Sequence, residues 1–391
     1  MRQQTSAPAR ADDRVLEFDG VRGVAVLLVI AFHVFKRADY FTANQALHFL
    51  TGLTSIGWVG VDIFFTLSGF LITSILLRTK TDKRYFKNFY MRRVLRIVPI
   101  YLVLIGLTLA FAPKLEVEFT SRLNQILPLM LLFQQNWLAI FSDLKMTHYL
   151  WVTWSLAVEE QFYLLLPLAA YLLRKETLFK AGVGFVFLSI LTRLSGVTFL
   201  KEIGKASVYL FFYYNSFTRF EQLLIGALLA IGLTDLRGKE FIRKYSIPVF
   251  WLCLFGFLGI ALTSPVTPHP AFGYAPLTIG GYTLSALSTA GLLGAFVTRP
   301  ASAWIRRPFQ NKILIFFGKY SYSLYLFHTP AAIILLDALW HTGARGWTMY
   351  VAYIVAALAA TILCALLAWN LIEKRALSLK KYFEYAPHSM E

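Results

Sequence analysis

Charged residues are scarce in this 391-residue sequence: they make up 15% of it, and only 21 are acidic. A soluble domain has about 25% charged and about 45–50% apolar residues, whereas 57% of this chain is apolar. This deficit of charge excludes an ordinary soluble protein. Apolar runs of about 20 residues recur along the whole chain, which is typical of membrane-crossing helices. We therefore predict an all-α, polytopic membrane protein embedded in the lipid bilayer.

Cysteine is also rare. Only Cys253 and Cys364 occur, both inside apolar runs, so a disulfide framework is not expected. The histidines are scattered and show no HxxxH or carboxylate–histidine spacing, and CxxC is absent, so we expect no metal site. A signal peptide is not evident, because Asp19 and Arg22 interrupt the first apolar run.

Ten apolar segments are predicted to cross the membrane. If the N-terminus is cytoplasmic, the inner segments carry 26 Lys and Arg residues and the outer segments carry 8. This bias follows the positive-inside rule and places both termini in the cytoplasm. It also accounts for the net charge of +17 without nucleic acid, which we do not expect as a partner. The predicted spans are residues 18–36, 56–78, 96–112, 152–173, 179–199, 217–234, 246–263, 279–298, 313–337 and 349–372.

These spans define a single transmembrane domain, residues 16–375. We expect residues 1–15 to form a disordered cytoplasmic N-terminus and residues 376–391 a basic cytoplasmic tail. Residues 122–141 are apolar but contain several amides and Pro128. Counting them as an eleventh span would invert every later loop. We interpret them as a re-entrant or interfacial segment on the outer side, with a true span as the alternative.

The first span carries three polar residues on one helical face. Arg22 and His33 are eleven residues apart, about three turns, and Asp19 joins them one turn before Arg22. Polar groups at such depth usually face a protein interior or a wet cavity. This face is therefore the first candidate for an active site.

Later spans offer partners for this face. Asp62 shares a face of the second span with Thr66, Gly69 and Thr73, where Gly60 and Gly69 would allow close helix packing. This face could line a cavity with His33 or be a packing seam. Arg92, Arg93 and Arg96 lie at the predicted start of the third span. A helix N-terminus with guanidinium groups suits phosphate, although basic residues there also serve as membrane anchors.

The fourth span contains two adjacent acids. Glu159 shares a face with Ser155 and with Phe162 or Tyr163, and could orient His33 as a general base or form a structural bridge with an arginine such as Arg22.

Two further candidates lie in the sixth and ninth spans. Arg219 at a membrane edge could be functional, although a lone arginine there often only extends its head group to water. Ser321, Tyr325 and His328 share a face, and His328 could bind a ligand or be a hydrogen-bonded core histidine.

Five motifs together resemble the acyltransferase 3 family of integral-membrane O-acyltransferases, over residues 18 to about 381. They are FDGVRG with Arg22-x10-His33, FFxxSGF at 64–70, Arg93-x-x-Arg96, WSLAVEEQFY at 154–163 and SYSLYLFHTP at 321–330. Phe18, where leucine is usual, and Arg375, where proline is common, depart from the family pattern.

The resemblance implies transfer of an acyl group, usually acetyl, from cytoplasmic acyl-CoA to a hydroxyl of a surface polysaccharide, lipid-linked sugar or related glycan. Some members carry a second, esterase-like domain. This sequence has none, so we expect the reaction to run within the membrane domain or with a separate partner. The expected location is the bacterial inner (plasma) membrane.

Combining motifs and resemblance gives a set of expected roles. His33 would be the general base, oriented by Glu159 or Asp62, or would carry the acyl group covalently. Arg22, Arg92, Arg93 and Arg96 would bind the CoA, and Ser68 or Ser155 would stabilise the oxyanion. Further substrate contacts are expected from Tyr163, Arg219 and His328.

The alternative from another class is a transporter or flippase of a lipid-linked or acylated intermediate. It would also place polar residues in mid-membrane, but no internal repeat is evident.

Overall fold

The computed structural model describes residues 15–41, 45–115, 123–141, 148–199, 211–263 and 275–385. Across these ranges the chain is helical and has no β-strand, which confirms the all-α prediction. Residues 1–14 of the predicted disordered N-terminus and residues 386–391 of the predicted tail lie outside them. The ten long helices are α1 (Leu16–Ala38), α2 (Val59–Thr79), α3 (Tyr85–Leu115), α4 (Trp154–Leu172), α5 (Lys175–Phe199), α6 (Ser216–Gly232), α7 (Leu236–Leu262), α8 (Tyr282–Thr298), α9 (Ser321–Trp340) and α10 (Trp347–Ala368).

Each predicted span corresponds to one of these helices. In the described part of the chain, eight helices are long and apolar enough to cross a membrane. The two long helices outside this set are α4, which carries Glu159 and Glu160, and α6, which has 17 residues and carries Arg219 and Glu221. These polar residues lower the hydropathy of the two helices, and both helices pack against α2 inside the bundle. The membrane face on which the termini lie stays a prediction.

The predicted ninth span, 313–337, is wrong at its beginning. The chain forms a short helix, Lys312–Lys319, leaves helical geometry at Tyr320 and starts α9 at Ser321. The short helix packs against α1. At Gly318 the two backbones are so close that a Cβ would overlap the Asp19 carbonyl. Packing on α1 therefore directs the short helix away from the axis of α9.

Of the segment 122–141, the described residues 123–141 do not form a spanning helix. The chain forms two short helices, Leu123–Leu131 and Gln135–Phe141, and Phe133 between them has φ 53°. At about 1.5 Å per residue, the longer one spans roughly 14 Å of a layer about 30 Å thick. Asn136 Nδ2 donates to the Tyr214 carbonyl at 3.0 Å, which ties the segment to the bundle. This geometry agrees with the re-entrant interpretation, while its place on the outer side stays a prediction.

Glycines allow the closest helix contacts around α2. A Cβ at Gly69 would overlap the Leu223 carbonyl of α6, and one at Gly60 would overlap the Ala25 carbonyl of α1. The predicted packing role of Gly60 and Gly69 is therefore confirmed. These contacts fix α2 between α1 and α6, with its polar side chains inside the bundle.

Gly69→Ala should lower the free energy of unfolding by about 1–3 kcal/mol, because the added methyl group must push two helices apart. This loss exceeds the gain of up to about 1 kcal/mol that alanine brings to a helix interior. Thermal unfolding in detergent micelles measures the effect. Gly106→Ala is the control, since a Cβ there meets nothing within 4 Å. Equal melting temperatures for the two variants would contradict the prediction.

Candidate active site

A cavity of about 280 Å³ lies between α1, α2, α3, α4 and α9. Apolar side chains of α2 form much of its wall. The remainder of the lining is polar and combines arginine, carboxylate, serine and tyrosine side chains from all five helices. They are Arg22, Ser68, Arg93, Arg96, Ser155, Glu159, Tyr163, Ser321, Tyr322 and Tyr325.

One end of the cavity is strongly basic. Arg22, Arg93 and Arg96 line it and interact electrostatically with one another. Arg22 Nη1 donates to Asp19 Oδ1 at 2.9 Å, so the predicted Asp19–Arg22 proximity is present. The Arg93 guanidinium lies 5.6 Å from the centre of the Tyr163 ring. Guanidinium groups bind phosphate through paired hydrogen bonds, so this end of the cavity suits a phosphate-bearing ligand.

The arginines do not lie at a helix N-terminus, as the sequence had suggested. α3 begins at Tyr85, so Arg93 and Arg96 lie about two and three turns inside it. No glycine or proline interrupts residues 85–98, and the helix therefore starts well before the apolar span. The positive charge of the site thus comes from side chains alone. Arg92 lies outside the cavity lining and donates from Nη1 to the Phe383 carbonyl at 3.3 Å.

Glu159 is held in the cavity wall by hydroxyl groups. The Tyr163 hydroxyl, one turn along α4, donates to Glu159 Oε1 at 3.0 Å. Ser68 on α2 is hydrogen-bonded to the same tyrosine hydroxyl and to the carboxylate. Glu159 therefore joins α2 to α4 and does not contact His33. The predicted Glu159–His33 pair is therefore wrong, because the Glu159 carboxylate faces the cavity instead.

Tyr325 forms the part of the cavity wall that adjoins His328, with ring centres 5.7 Å apart. Its hydroxyl donates to the Val152 carbonyl at 2.9 Å and lies 2.7 Å from Ser155 Oγ. The Tyr325 ring packs edge-on against Phe64, with ring centres 6.1 Å apart. Tyr325 and Ser155 thus form a hydrogen-bonded wall between the cavity and His328.

His33 does not line the cavity and contacts a second histidine. His328 on α9 is fully buried, and its Nε2 lies 3.1 Å from His33 Nδ1. His328 Nδ1 is 2.6 Å from the Tyr325 carbonyl, which can only accept, so this nitrogen carries a proton. In a neutral His328 the Nε2 is then an acceptor for a proton on His33 Nδ1. The Val29 carbonyl, 3.0 Å from the same His33 nitrogen, favours that tautomer, in which the His33 lone pair is on Nε2.

Asp62 does not contact His33 either. Its carboxylate pairs with Arg219 and accepts from Ser285 Oγ at 2.7 Å, and both members of the ion pair are fully buried. Arg219 is enclosed by the rings of Phe65, Trp154, Tyr213 and Tyr282, at 4.6–5.5 Å. The predicted Asp62–His33 pair is therefore wrong, and Arg219 does not extend to water. Both residues join α2, α6 and α8 in the core.

The structure thus divides the twelve predicted site residues into four groups. Seven line the cavity: Arg22, Arg93, Arg96, Ser68, Ser155, Glu159 and Tyr163. His33 and His328 form a pair outside its lining, and Asp62 and Arg219 form a core ion pair. Arg92 lies apart from all of these and contacts the Phe383 carbonyl. Their roles in chemistry stay predictions.

Several residues of the site were not among the predicted ones. Ser321, Tyr322 and Tyr325 line the cavity. The shared face with His328 was the sequence signal for Ser321 and Tyr325, whereas Tyr322 had none. A second buried ion pair, Arg193 with Glu221, lies in the core beside the first. Within the described ranges no three metal-ligating side chains converge.

Comparison with known proteins gives one family. The family described as an acyltransferase domain matches residues 15–369. A protein of Staphylococcus aureus (strain COL) named "Putative O-acetyltransferase" is 31% identical over 370 residues, which cover 91% of this chain and 56% of that protein. The peptidoglycan O-acetyltransferase OatA of Listeria monocytogenes is 29% identical over 374 residues, covering 92% and 55%. This chain therefore spans about half the length of these curated relatives. No solved structure matches it significantly.

Proposed function

Since the chain belongs to the acyltransferase 3 family, we propose that it is an O-acetyltransferase of the bacterial plasma (inner) membrane. It would move an acetyl group from cytoplasmic acetyl-CoA to a hydroxyl of a cell-envelope glycan. The names of the relatives support the acetyl group, and one of them names peptidoglycan. The observation that carries the proposal is the cavity, which has arginines at one end and, in its wall, Tyr325, one helical turn from His328.

The donor would enter from the basic end. Arg93 and Arg96 would bind the CoA phosphates, and Arg22, held by Asp19, would line the path of the pantetheine arm. The thioester would then lie in the part of the cavity between Ser68 and Ser155. Their hydroxyl groups are the side-chain donors available there for a developing oxyanion.

The acceptor would approach His33 from the opposite face. His33 Nε2 would take the proton of the glycan hydroxyl while that oxygen attacks the thioester carbonyl carbon. The C–S bond breaks, an ester forms, and the CoA thiolate takes up the proton. His328 would position His33 through the contact between His328 Nε2 and His33 Nδ1. In the covalent alternative, His33 attacks first, releases CoA and passes the acetyl group to the hydroxyl.

Either route requires movement of Tyr325, because its side chain lies between the cavity and the histidine pair. Its two hydrogen bonds, to Ser155 and to the Val152 carbonyl, would break as the ring turns away. Each is worth about 0.5–1.5 kcal/mol net, so the closed and open positions can interconvert readily.

The test uses the purified protein in phosphatidylcholine nanodiscs, with acetyl-labelled acetyl-CoA and soluble peptidoglycan fragments. We expect free CoA to form at a rate that depends on the acceptor, and the label to appear on the glycan as an alkali-labile ester. If CoA release in intact proteoliposomes is absent with every glycan acceptor, while a lipid-linked glycan crosses the bilayer, the protein is a flippase and the proposal fails.

A further inference from the structure

The chain after α10 folds back against the start of α3. Residues Lys374–Ser378 and Leu379–Phe383 form two short helical segments, called the tail segment together with Glu384 and Tyr385. Asn88 Nδ2 donates to the Glu384 carbonyl at 2.9 Å, and Arg92 Nη1 donates to the Phe383 carbonyl. The Arg92 guanidinium also lies 5.8 Å from the Tyr385 ring centre. The tail segment is therefore fixed to the helix that carries the cavity arginines.

This packing brings a further cation, Lys380, close to two arginines of the cavity lining, Arg93 and Arg96. Lys380 is half-buried, whereas the other tail cations, Lys374, Arg375 and Lys381, are exposed. Lys380 interacts electrostatically with Arg92, Arg93 and Arg96, and all three interactions are repulsive.

The attractive partner of Lys380 is Glu373, and this carboxylate is shared. Glu373 Oε2 accepts from Ser323 Oγ at 2.7 Å and also interacts with Arg96. Lys380 thus shares its one attractive partner with Arg96 and is repelled by three arginines, and its partial burial weakens the screening of this repulsion by water. Such a cluster gains free energy when a polyanion binds between its members.

We propose that Lys380 of the tail segment binds a phosphate group of the acyl-CoA together with Arg93 and Arg96. The inference rests on the proposed function, because it assigns a further residue to the donor site. CoA carries a diphosphate and a 3′-phosphate, and these groups match a cluster in which Lys380 lies near Arg93 and Arg96, two arginines of the cavity lining. Arg92 then has a different role, since it anchors the tail segment through the Phe383 carbonyl and Tyr385.

The experiment compares Lys380→Gln with Lys381→Gln, which removes the same charge from the adjacent exposed position. In phosphatidylcholine nanodiscs, free of anionic lipid, we expect Lys380→Gln to raise KM for acetyl-CoA about tenfold and to leave kcat within about twofold. Loss of one phosphate contact of about 1.4 kcal/mol corresponds to this change. Lys381→Gln should stay near wild type, and Lys380→Arg should restore most of the affinity.

A purely structural lysine would behave differently. Lys380→Gln relieves repulsion in the free protein, so its melting temperature without CoA should equal or exceed that of the wild type, while the stabilisation by added CoA shrinks. A KM change with acetyl-CoA but not with acetyl-dephospho-CoA assigns the 3′-phosphate, and an equal change with both assigns the diphosphate. A KM like that of Lys381→Gln, or a lowered melting temperature without CoA, would overturn the inference.

The variant Arg96→Gln distinguishes a failure of the Lys380 inference from a failure of the proposed function. If Arg96→Gln raises KM and Lys380→Gln does not, only the role of the tail segment is wrong. If neither variant changes KM, the cavity is not the donor site.

Discussion

His33→Ala should lower kcat for acetyl transfer by about 10²–10⁴-fold, the usual contribution of a positioned general base. The same loss is expected on the covalent route, because both routes need the lone pair on His33 Nε2. Acetyl-CoA binding should be kept, since His33 does not line the donor cavity. Acceptor-dependent release of CoA measures kcat, and equilibrium binding of labelled acetyl-CoA measures the donor site.

The matched control for this prediction is His341→Ala. The His341 side chain is 75% exposed and pairs only at the surface with Asp337, so its removal should leave activity unchanged. His328→Gln should give a smaller loss, about 10–100-fold in kcat with an unchanged donor KM, because misplacing a catalytic group by about 1 Å costs this much. Full transfer by His33→Ala would exclude both routes.

Arg219→Ala should destabilise the protein by about 3–5 kcal/mol, because it leaves the Asp62 carboxylate buried with Ser285 as its remaining hydrogen-bond partner. The loss also removes a guanidinium that four aromatic rings surround. Thermal unfolding in detergent, followed by near-UV circular dichroism, measures the change.

Replacing both Asp62 and Arg219 tests whether the uncompensated buried charge causes the destabilisation. Asp62→Leu with Arg219→Met should be markedly more stable than Arg219→Ala alone, since no uncompensated charge is left in the core. Arg345→Ala serves as the control, because Arg345 is exposed and lies against Trp340. Stability of Arg219→Ala equal to that of this control would contradict the structural role.

Hydropathy predicted the helices because burial in a bilayer demands long apolar segments, and eight of the ten long helices follow that pattern, all except α4 and α6. Helical spacing also predicted that Arg22 and Asp19 lie close together, since both are on one helix with fixed geometry. Hydropathy did not predict that α3 extends back to Tyr85, because the added turns are polar and lie outside the apolar run.

Pairing between helices was harder to predict. His33 could meet Glu159, Asp62 or His328 by composition alone, and the choice depends on how the helices are rotated and shifted. Gly60 and Gly69 allow the close backbone contacts that set the position of α2 against α1 and α6, and in the resulting packing Asp62 pairs with Arg219. Charge complementarity would have favoured this acid–arginine pair over an acid–histidine pair. The position of Lys380 near Arg92, Arg93 and Arg96 also required the fold, because these arginines lie almost three hundred positions earlier in the sequence.

The wall formed by Tyr325 and Ser155 would have a consequence for the membrane under the proposed function. An acetyltransferase that joins substrates from two compartments needs a passage between them, and an open passage would let protons and ions leak across. The Tyr325 hydroxyl is bonded to Ser155 and to the Val152 carbonyl, and its ring, in the cavity wall, lies next to His328. On the proposed function, this wall would keep the bilayer insulating between turnovers, and the cell's proton gradient would be exposed to the passage only while Tyr325 is turned away.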